Sequence, residues 1–263
     1  MDLHIVDLIE SLNNFDENPS ARLSNSIIIS DYPGLISYLI QNLSGINIKI
    51  LRQLLEYIPE QILEEILINE TLPSKLIEHI KTQPPDYDSI KILSDIYDES
   101  IYEQLVDSEV LSKLVYSIQG AGPKMCENLV KVLVFISKHK MQEILSIPNS
   151  RNFGEILIYR LNRAQGIEKK LMLKTVTDII FSFPDYFYIN DLKVVCDIVV
   201  DSLSNQEEEI LTENYEALTA LMDVKDFFDL KYRFSEIYEV LQVPEGNSYI
   251  LKIQDRIYSM ISN

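Results

Sequence analysis

The chain has 263 residues, 46% of them hydrophobic and 24% charged, and a mean hydropathy of +0.01, enough apolar content to bury a substantial core and too much for a disordered chain. A formal net charge of -18 excludes broad nucleic-acid binding, because neutralising phosphates needs a basic face. No apolar run reaches the roughly 18 residues that a membrane span needs, and no basic-then-apolar leader opens the chain, so a cytoplasmic protein without membrane insertion is expected.

Taken in chain order, residues 1–30 are expected to form an N-terminal capping helix over 1–14 and an irregular lead-in that holds the short β-branched run Ser26–Ser30. Residues 31–263 then show helical periodicity almost without strand-like alternation. Two stretches repeat: Tyr57–Ile62 aligns with Ile96–Ile101 at an offset of 39, and Ser74–Ile80 aligns with Ser112–Ile118 at an offset of 38. The repeating unit reads as a long helix, a short helix carrying Leu67 or Val106, and a third helix ending in the Ser-Lys-Leu segment. Weaker copies at Phe135-Ile136, Ile179-Ile180 and Leu221-Met222 follow Ile96-Tyr97 at steps of 39, 44 and 42. A period near 40 predicts an all-α, armadillo/HEAT-like helical solenoid forming a single elongated domain. Helix breakers are expected between helices at Pro59, Pro73, Pro84-Pro85, Gly120–Pro123, Pro148, Gly166, Pro184 and Pro244–Gly246.

Chemistry-bearing motifs are sparse. Pro84-Pro85-Asp86-Tyr87 has the form of a ligand for a WW-domain protein, yet it also marks a repeat boundary and a helix N-terminus, and the latter reading is favoured. Gly120-Ala121-Gly122 lacks the Lys-Ser/Thr ending of a phosphate-binding loop and is expected to join two repeats. His4, His79 and His139 stand far apart in no metal-ligand spacing, so neither a catalytic residue, a cofactor nor a metal is expected. Cys126 and Cys196 lie in apolar helical runs and read as buried free thiols.

Charge is unevenly spread. From Lys124 to Lys174 there are ten basic residues and four acidic ones, against 13 basic and 37 acidic elsewhere. This basic island, Lys169, Lys170 and Lys174 included, is suited to docking an acidic partner surface and to speeding association.

The most informative stretch is Phe183–Leu203. Pro184 is expected to end one helix, Phe183, Tyr186, Phe187 and Tyr188 to fill the turn, and Asn190 or Asp191 to cap the next helix from about Leu192. Leu192, Val195, Cys196, Val199 and Leu203 recur at helical spacing with little polar face, which predicts a helix covered on both sides. Downstream come the acidic run Glu207–Glu209, then Tyr215, Leu218 and Leu221, then Lys231, Tyr232 and Arg233 ahead of Ile237 and Leu241.

With Phe187, Tyr188 and Asn190–Val194, this order resembles the armadillo-type domain of the WISH/DIP/SPIN family over about sixty residues. Members of that family activate the actin-related protein 2/3 complex without a pre-existing actin filament. Two positions depart from the family pattern: Ile189 stands for its Thr, and Asp201 for a basic residue. The resemblance implies a non-enzymatic activator that favours the filament-like arrangement of the complex and nucleates unbranched filaments in cortical or endocytic actin. The chain has no Trp, and it is not expected to deliver actin monomers through an acidic Trp-bearing tail. Asn190, Asp191, Lys193, Tyr232 and Arg233 are the implied partner contacts, with Lys193 and Arg233 expected to expose their cationic heads and Tyr232 to serve as an aromatic anchor. The alternative is a generic armadillo adaptor that binds a peptide or partner protein without an actin role.

Overall fold

A computed structural model of the chain describes residues 32–55, 71–96, 106–241, 251, 253–255 and 257–258. The expected N-terminal helix and lead-in, Leu67, Pro59 and Pro244–Gly246 lie outside the described residues. Numbered in order among the described residues, the helices are α1 Tyr32–Gln41, α2 Gly45–Leu55, α3 Thr71–Thr82, α4 Tyr87–Asp95, α5 Ser108–Ile118, α6 Pro123–Ser146, α7 Arg151–Leu161, α8 Gly166–Ser182, α9 Ile189–Ser204, α10 Leu211–Asp223, α11 Lys225–Asp229 and α12 Phe234–Val240, with a 3-10 turn at Glu208–Ile210. No strand occurs among the described residues. Two compact units divide the chain between Ile136 and Ser137, inside α6.

Within each unit most packing is between helices that are adjacent or one apart in chain order. In the first unit α1 meets α2 and α3, α2 meets α4, and α3 meets α4 and α5. In the second, α7 meets α8 and α9, α8 meets α10, and α9 meets α10, α11 and α12. The sequence repeat has a direct physical basis in α3 and α5. Leu76, Ile77 and Ile80 are buried on α3, and Leu114, Val115 and Ile118 on α5, the same three positions at the offset of 38.

The intervening lysine is repeated for a polar reason. Lys75 Nζ donates to the Gln41 carbonyl at the end of α1 at 2.7 Å, and Lys113 Nζ donates to the Ile80 carbonyl at 3.2 Å and to that of Lys81 near the end of α3. Each cation thus satisfies carbonyls left open at the C-terminus of the equivalent preceding helix, where the helix dipole favours it. The weaker copies also fall on equivalent elements: Ile136, Ile179-Ile180 and Leu221-Met222 are buried on α6, α8 and α10, the second helix of successive pairs.

Local signals account for most helix ends. Asp86 and Asp107 cap α4 and α5 by accepting the Ser89 and Val110 amides, each at 3.0 Å. Asp86 also faces His79 Nε2 at 3.2 Å, so the Pro-Pro-Asp-Tyr segment is a helix start whose Tyr87 is half-buried. Gly120–Gly122 lies in the turn between α5 and α6. Three expectations are corrected. Pro73 sits in the first turn of α3 rather than between helices, where its missing N–H costs nothing. Val106 is buried but lies in the extended approach to α5, outside any helix. The third concerns α9, which starts at Ile189 with Tyr188 preceding it.

Leu192, Val195, Cys196 and Val199 are buried, as expected of α9. The Cys196 thiol is pushed up to about 12 by burial and then by the charge of Asp197, which leaves it protonated and inert at neutral pH. In the native protein Cys196 is expected to resist a colourimetric thiol reagent that reacts promptly once denaturant is added. Cys126 is half-buried, its Sγ 3.4 Å from the Ala121 carbonyl. A Cys126→Ser variant isolates the Cys196 signal.

Candidate partner-binding site

The turn between α8 and α9 fixes how α9 is presented. Tyr186 Oη donates to the Ser150 carbonyl at 2.5 Å, and the Tyr186 and Phe187 rings meet edge to face at 5.0 Å. Both rings lie over Gly154 of α7, where an added Cβ would stand 2.6 Å from Tyr186 Cε1 and 3.0 Å from Phe187 Cε1. Burial pushes the Tyr186 phenol up to about 12. Arg151 at the start of α7 stacks over the Tyr188 ring at 4.6 Å. At the α9 start, Asp191 accepts the Tyr188 amide at 3.1 Å. It acts from the third helical position and reaches back over the first turn rather than capping forward from the N-cap position. Asn190 is exposed one residue earlier.

Lys193, Tyr232 and Arg233, forty residues apart in sequence at the extremes, converge on one face of α9. Lys193 Nζ lies 5.6 Å from the Tyr232 ring centroid, within cation–π range. Tyr232 Oη donates to the Asp197 carboxylate at 3.1 and 3.2 Å, and its ring packs edge-on against Phe227. Arg233 binds Asp197 through Nη1 at 2.9 Å and approaches Asp201 at 3.5 Å. It also donates from Nε and Nη2 to Glu236 at 3.0 and 2.5 Å. These bonds hold the guanidinium more firmly protonated and pull the Glu236 carboxyl below its usual range.

The expectation that Arg233 exposes its head is therefore corrected: its side chain is 22% exposed and spans three carboxylates. It does so from a left-handed backbone, φ 52°, at the start of α12. Asp201, the departure from the family pattern, is one of its partners. Asp197 is the residue that the sequence reading missed. The ridge Lys193–Asp197–Asp201 at four-residue steps was readable, but its closure onto Tyr232 and Arg233 was not.

The three island lysines on α8 differ sharply. Lys169 is 13% exposed and donates to Ser202 Oγ at 2.6 Å and to both Glu207 oxygens at 3.0 and 2.8 Å, fastening α8 to the end of α9. Lys170 pairs with Glu213 of α10 at 3.1 Å while staying half-exposed. Lys174 is exposed, and its charge acts on Lys138 and Asp178. No helix among the described residues is long and apolar enough to cross a membrane. Among the described residues no group of three or more His, Cys, Asp or Glu is placed to hold a metal ion.

Comparison with known proteins finds similarity over part of these elements. Residues 125–237, which run from α6 into α12, match the family model described as the SPIN90/Ldb17 leucine-rich domain. Protein LDB17 of Eremothecium gossypii is 29% identical over 101 residues, a match covering 35% of this chain and 22% of that protein. The chain is also similar to the crystal structure of an engineered protein, at 15% identity and a TM-score of 0.45, over 86% of this chain and 96% of the other. Every residue of the α9 cluster, from Lys193 to Glu236, falls inside the segment that is similar to the SPIN90/Ldb17 leucine-rich domain, and the chain spans about a fifth of the length of the curated relative it matches.

Proposed function

We propose that this protein binds the actin-related protein 2/3 complex and activates it without a preformed filament, nucleating unbranched actin filaments in the cytoplasm at cortical or endocytic actin. The observation that carries this reading is the family match over 125–237, whose boundaries contain the Lys193–Tyr232–Arg233 cluster. The WISH/DIP/SPIN resemblance of the same residues supplies the activity.

Physically the task is a population shift. A binder moves the complex toward its filament-like arrangement only by its differential affinity for the two conformations, and a shift from 1:99 to 99:1 needs about 5.5 kcal/mol. A helical stack whose neighbours are fastened by long-range bonds suits this task, because a stiff partner does not relax to fit both conformations. Such fastenings include Lys169 to Glu207 and Arg233 to Asp197. Asn190, Lys193 and the Tyr232 ring edge are the proposed contacts on α9, and Lys170 and Lys174 those on α8. Asp191, Lys169 and Arg233 support them through their internal bonds.

The test is an assembly assay with pyrene-labelled actin and purified complex, free of filament seeds. This protein is expected to abolish the lag and, under the microscope, to yield linear filaments. An unchanged lag at concentrations that saturate binding would leave a generic adaptor as the better reading.

A further inference from the structure

The outer ridge of α8 is chemically unlike the rest of this acidic chain. Ile167, Lys170, Lys174, Asp178 and Phe181 follow at steps of three and four residues. At about 100° per residue they share one side of the helix, spanning roughly 21 Å at 1.5 Å per residue. All five are exposed to solvent. The apolar pair at the ends is unusually open: Ile167 is 78% exposed and Phe181 49%. Between them stand exposed Lys174 and Lys170, the latter half-exposed in its ion pair with Glu213, while exposed Lys138 has its pKa lowered first by burial and then by the charge of Lys174. The opposite side of α8 packs on α7 and α10.

We propose that this ridge docks an acidic amphipathic helix of a protein partner, its carboxylates set between two apolar side chains about 21 Å apart. Complementarity decides the occupant. Net charge is -18 over the whole chain, so an exposed Lys174 set between exposed apolar groups, with Lys170 beside it, is an exception that an incoming carboxylate would complement. A membrane surface fits less well. It would have to accept the Asp178 carboxylate on the same ridge and the acidic bulk of the chain around it. Apolar ends contribute affinity by burial, while the central cations fix register and speed encounter. Lys174 is the main cationic contact, because the Lys169 ammonium is engaged with Glu207 and that of Lys170 is shared with Glu213.

This inference rests on the proposed binding of the complex and names its contact chemistry, and the experiment separates the two. Binding of the full chain to purified complex is measured for wild type, Lys174→Glu, Phe181→Ser and Asp178→Asn. In parallel, a synthetic 15-residue helical peptide with Leu near both ends and Glu between is titrated by anisotropy, alongside its Lys-for-Glu counterpart and phosphatidylserine vesicles.

Lys174→Glu and Phe181→Ser are each expected to weaken both complex and Glu-peptide binding at least tenfold. Asp178→Asn is expected to strengthen them, a gain that misfolding cannot produce, and the Glu peptide to bind at least tenfold better than its counterpart. Complex binding that is unchanged in all three variants overturns the ridge and leaves the proposed function standing. Should wild type fail to bind the complex, the proposed function falls, and the ridge stands only if the Glu peptide binds and Lys174→Glu abolishes that binding. Vesicle binding that follows Lys174 and Phe181 without peptide binding overturns the proposal in favour of a membrane surface.

Discussion

Arg233→Ala is expected to lower stability by about 2 kcal/mol, and Arg233→Gly by roughly 0.5–1 kcal/mol less, the reverse of the usual penalty for glycine. Truncation removes the partly buried ion pair to Asp197 and leaves Asp197 and Asp201 facing each other along α9. A lost network of this kind costs more than an exposed surface pair and less than a fully buried one. Alanine keeps the left-handed backbone of φ 52°, whose strain is about 1–2 kcal/mol for a residue with Cβ. Glycine removes that strain against an unfolded-state entropy penalty of about 0.5–1 kcal/mol, so strain relief wins by a small margin. Arg233→Glu sets a new carboxylate among three others and is expected to cost about 3 kcal/mol or more. A Lys193→Glu/Arg233→Glu double variant would consequently report on folding before it reported on docking.

The acid side of the stability curve carries a second mark of the same network. Glu236 is held below its ordinary value of 4.5 by its hydrogen bond to Arg233. A depressed carboxyl stabilises fully above its unfolded value, and that contribution is lost as pH falls through the folded one. The gap in melting temperature between wild type and Arg233→Ala should thus be widest above about pH 4.5 and should narrow on further acidification. Thermal melts from pH 7 to pH 3 decide the point. A gap that stays constant or widens in acid would refute the ion-pair contribution, and an Arg233→Gly variant no more stable than Arg233→Ala would refute the strain assigned to the left-handed backbone.

Helix identity was legible in the sequence because it depends on neighbours three and four residues away. The burial of Leu192, Val195 and Val199, and the paired triads on α3 and α5, follow from spacing that any window of a dozen residues contains. Bonds that fasten one pair of helices to the next were not legible. Lys169 to Glu207 and Arg233 to Asp197 join residues 38 and 36 positions apart, and each acidic partner, taken alone, looks like a solvated surface charge. The WISH/DIP/SPIN resemblance singles out Lys193, Tyr232 and Arg233 together, yet only the packing of α9 on α12 shows that Tyr232 and Arg233 are held by one carboxylate. The α9 start at Ile189 departs from the expected one for a related reason. Asparagine and aspartate are the favoured caps by residue type, but Asp191 serves from inside the first turn because the aromatic turn before it starts the helix about three residues early, at Ile189.

Gly154→Ala is expected to destabilise the protein by about 2 kcal/mol, although glycine inside a helix is ordinarily the weaker residue. Helix propensity alone predicts a gain of about 1 kcal/mol. Against it stands a Cβ placed 2.6 Å from Tyr186 Cε1 and 3.0 Å from Phe187 Cε1. Neither ring can yield cheaply: Tyr186 is tethered by its bond to the Ser150 carbonyl, and Phe187 is buried edge-on against it. Overpacking of this kind costs about 1–3 kcal/mol. Releasing the phenol to make room forfeits a hydrogen bond worth roughly another 1 kcal/mol. A double-mutant cycle separates the two effects. In a Tyr186→Ala background the closest clash is gone, and Gly154→Ala is expected to become neutral or stabilising. Denaturant melts of the four proteins supply the measurement, and a loss of about 2 kcal/mol that persists without the Tyr186 ring would refute close approach as the reason glycine stands at this position.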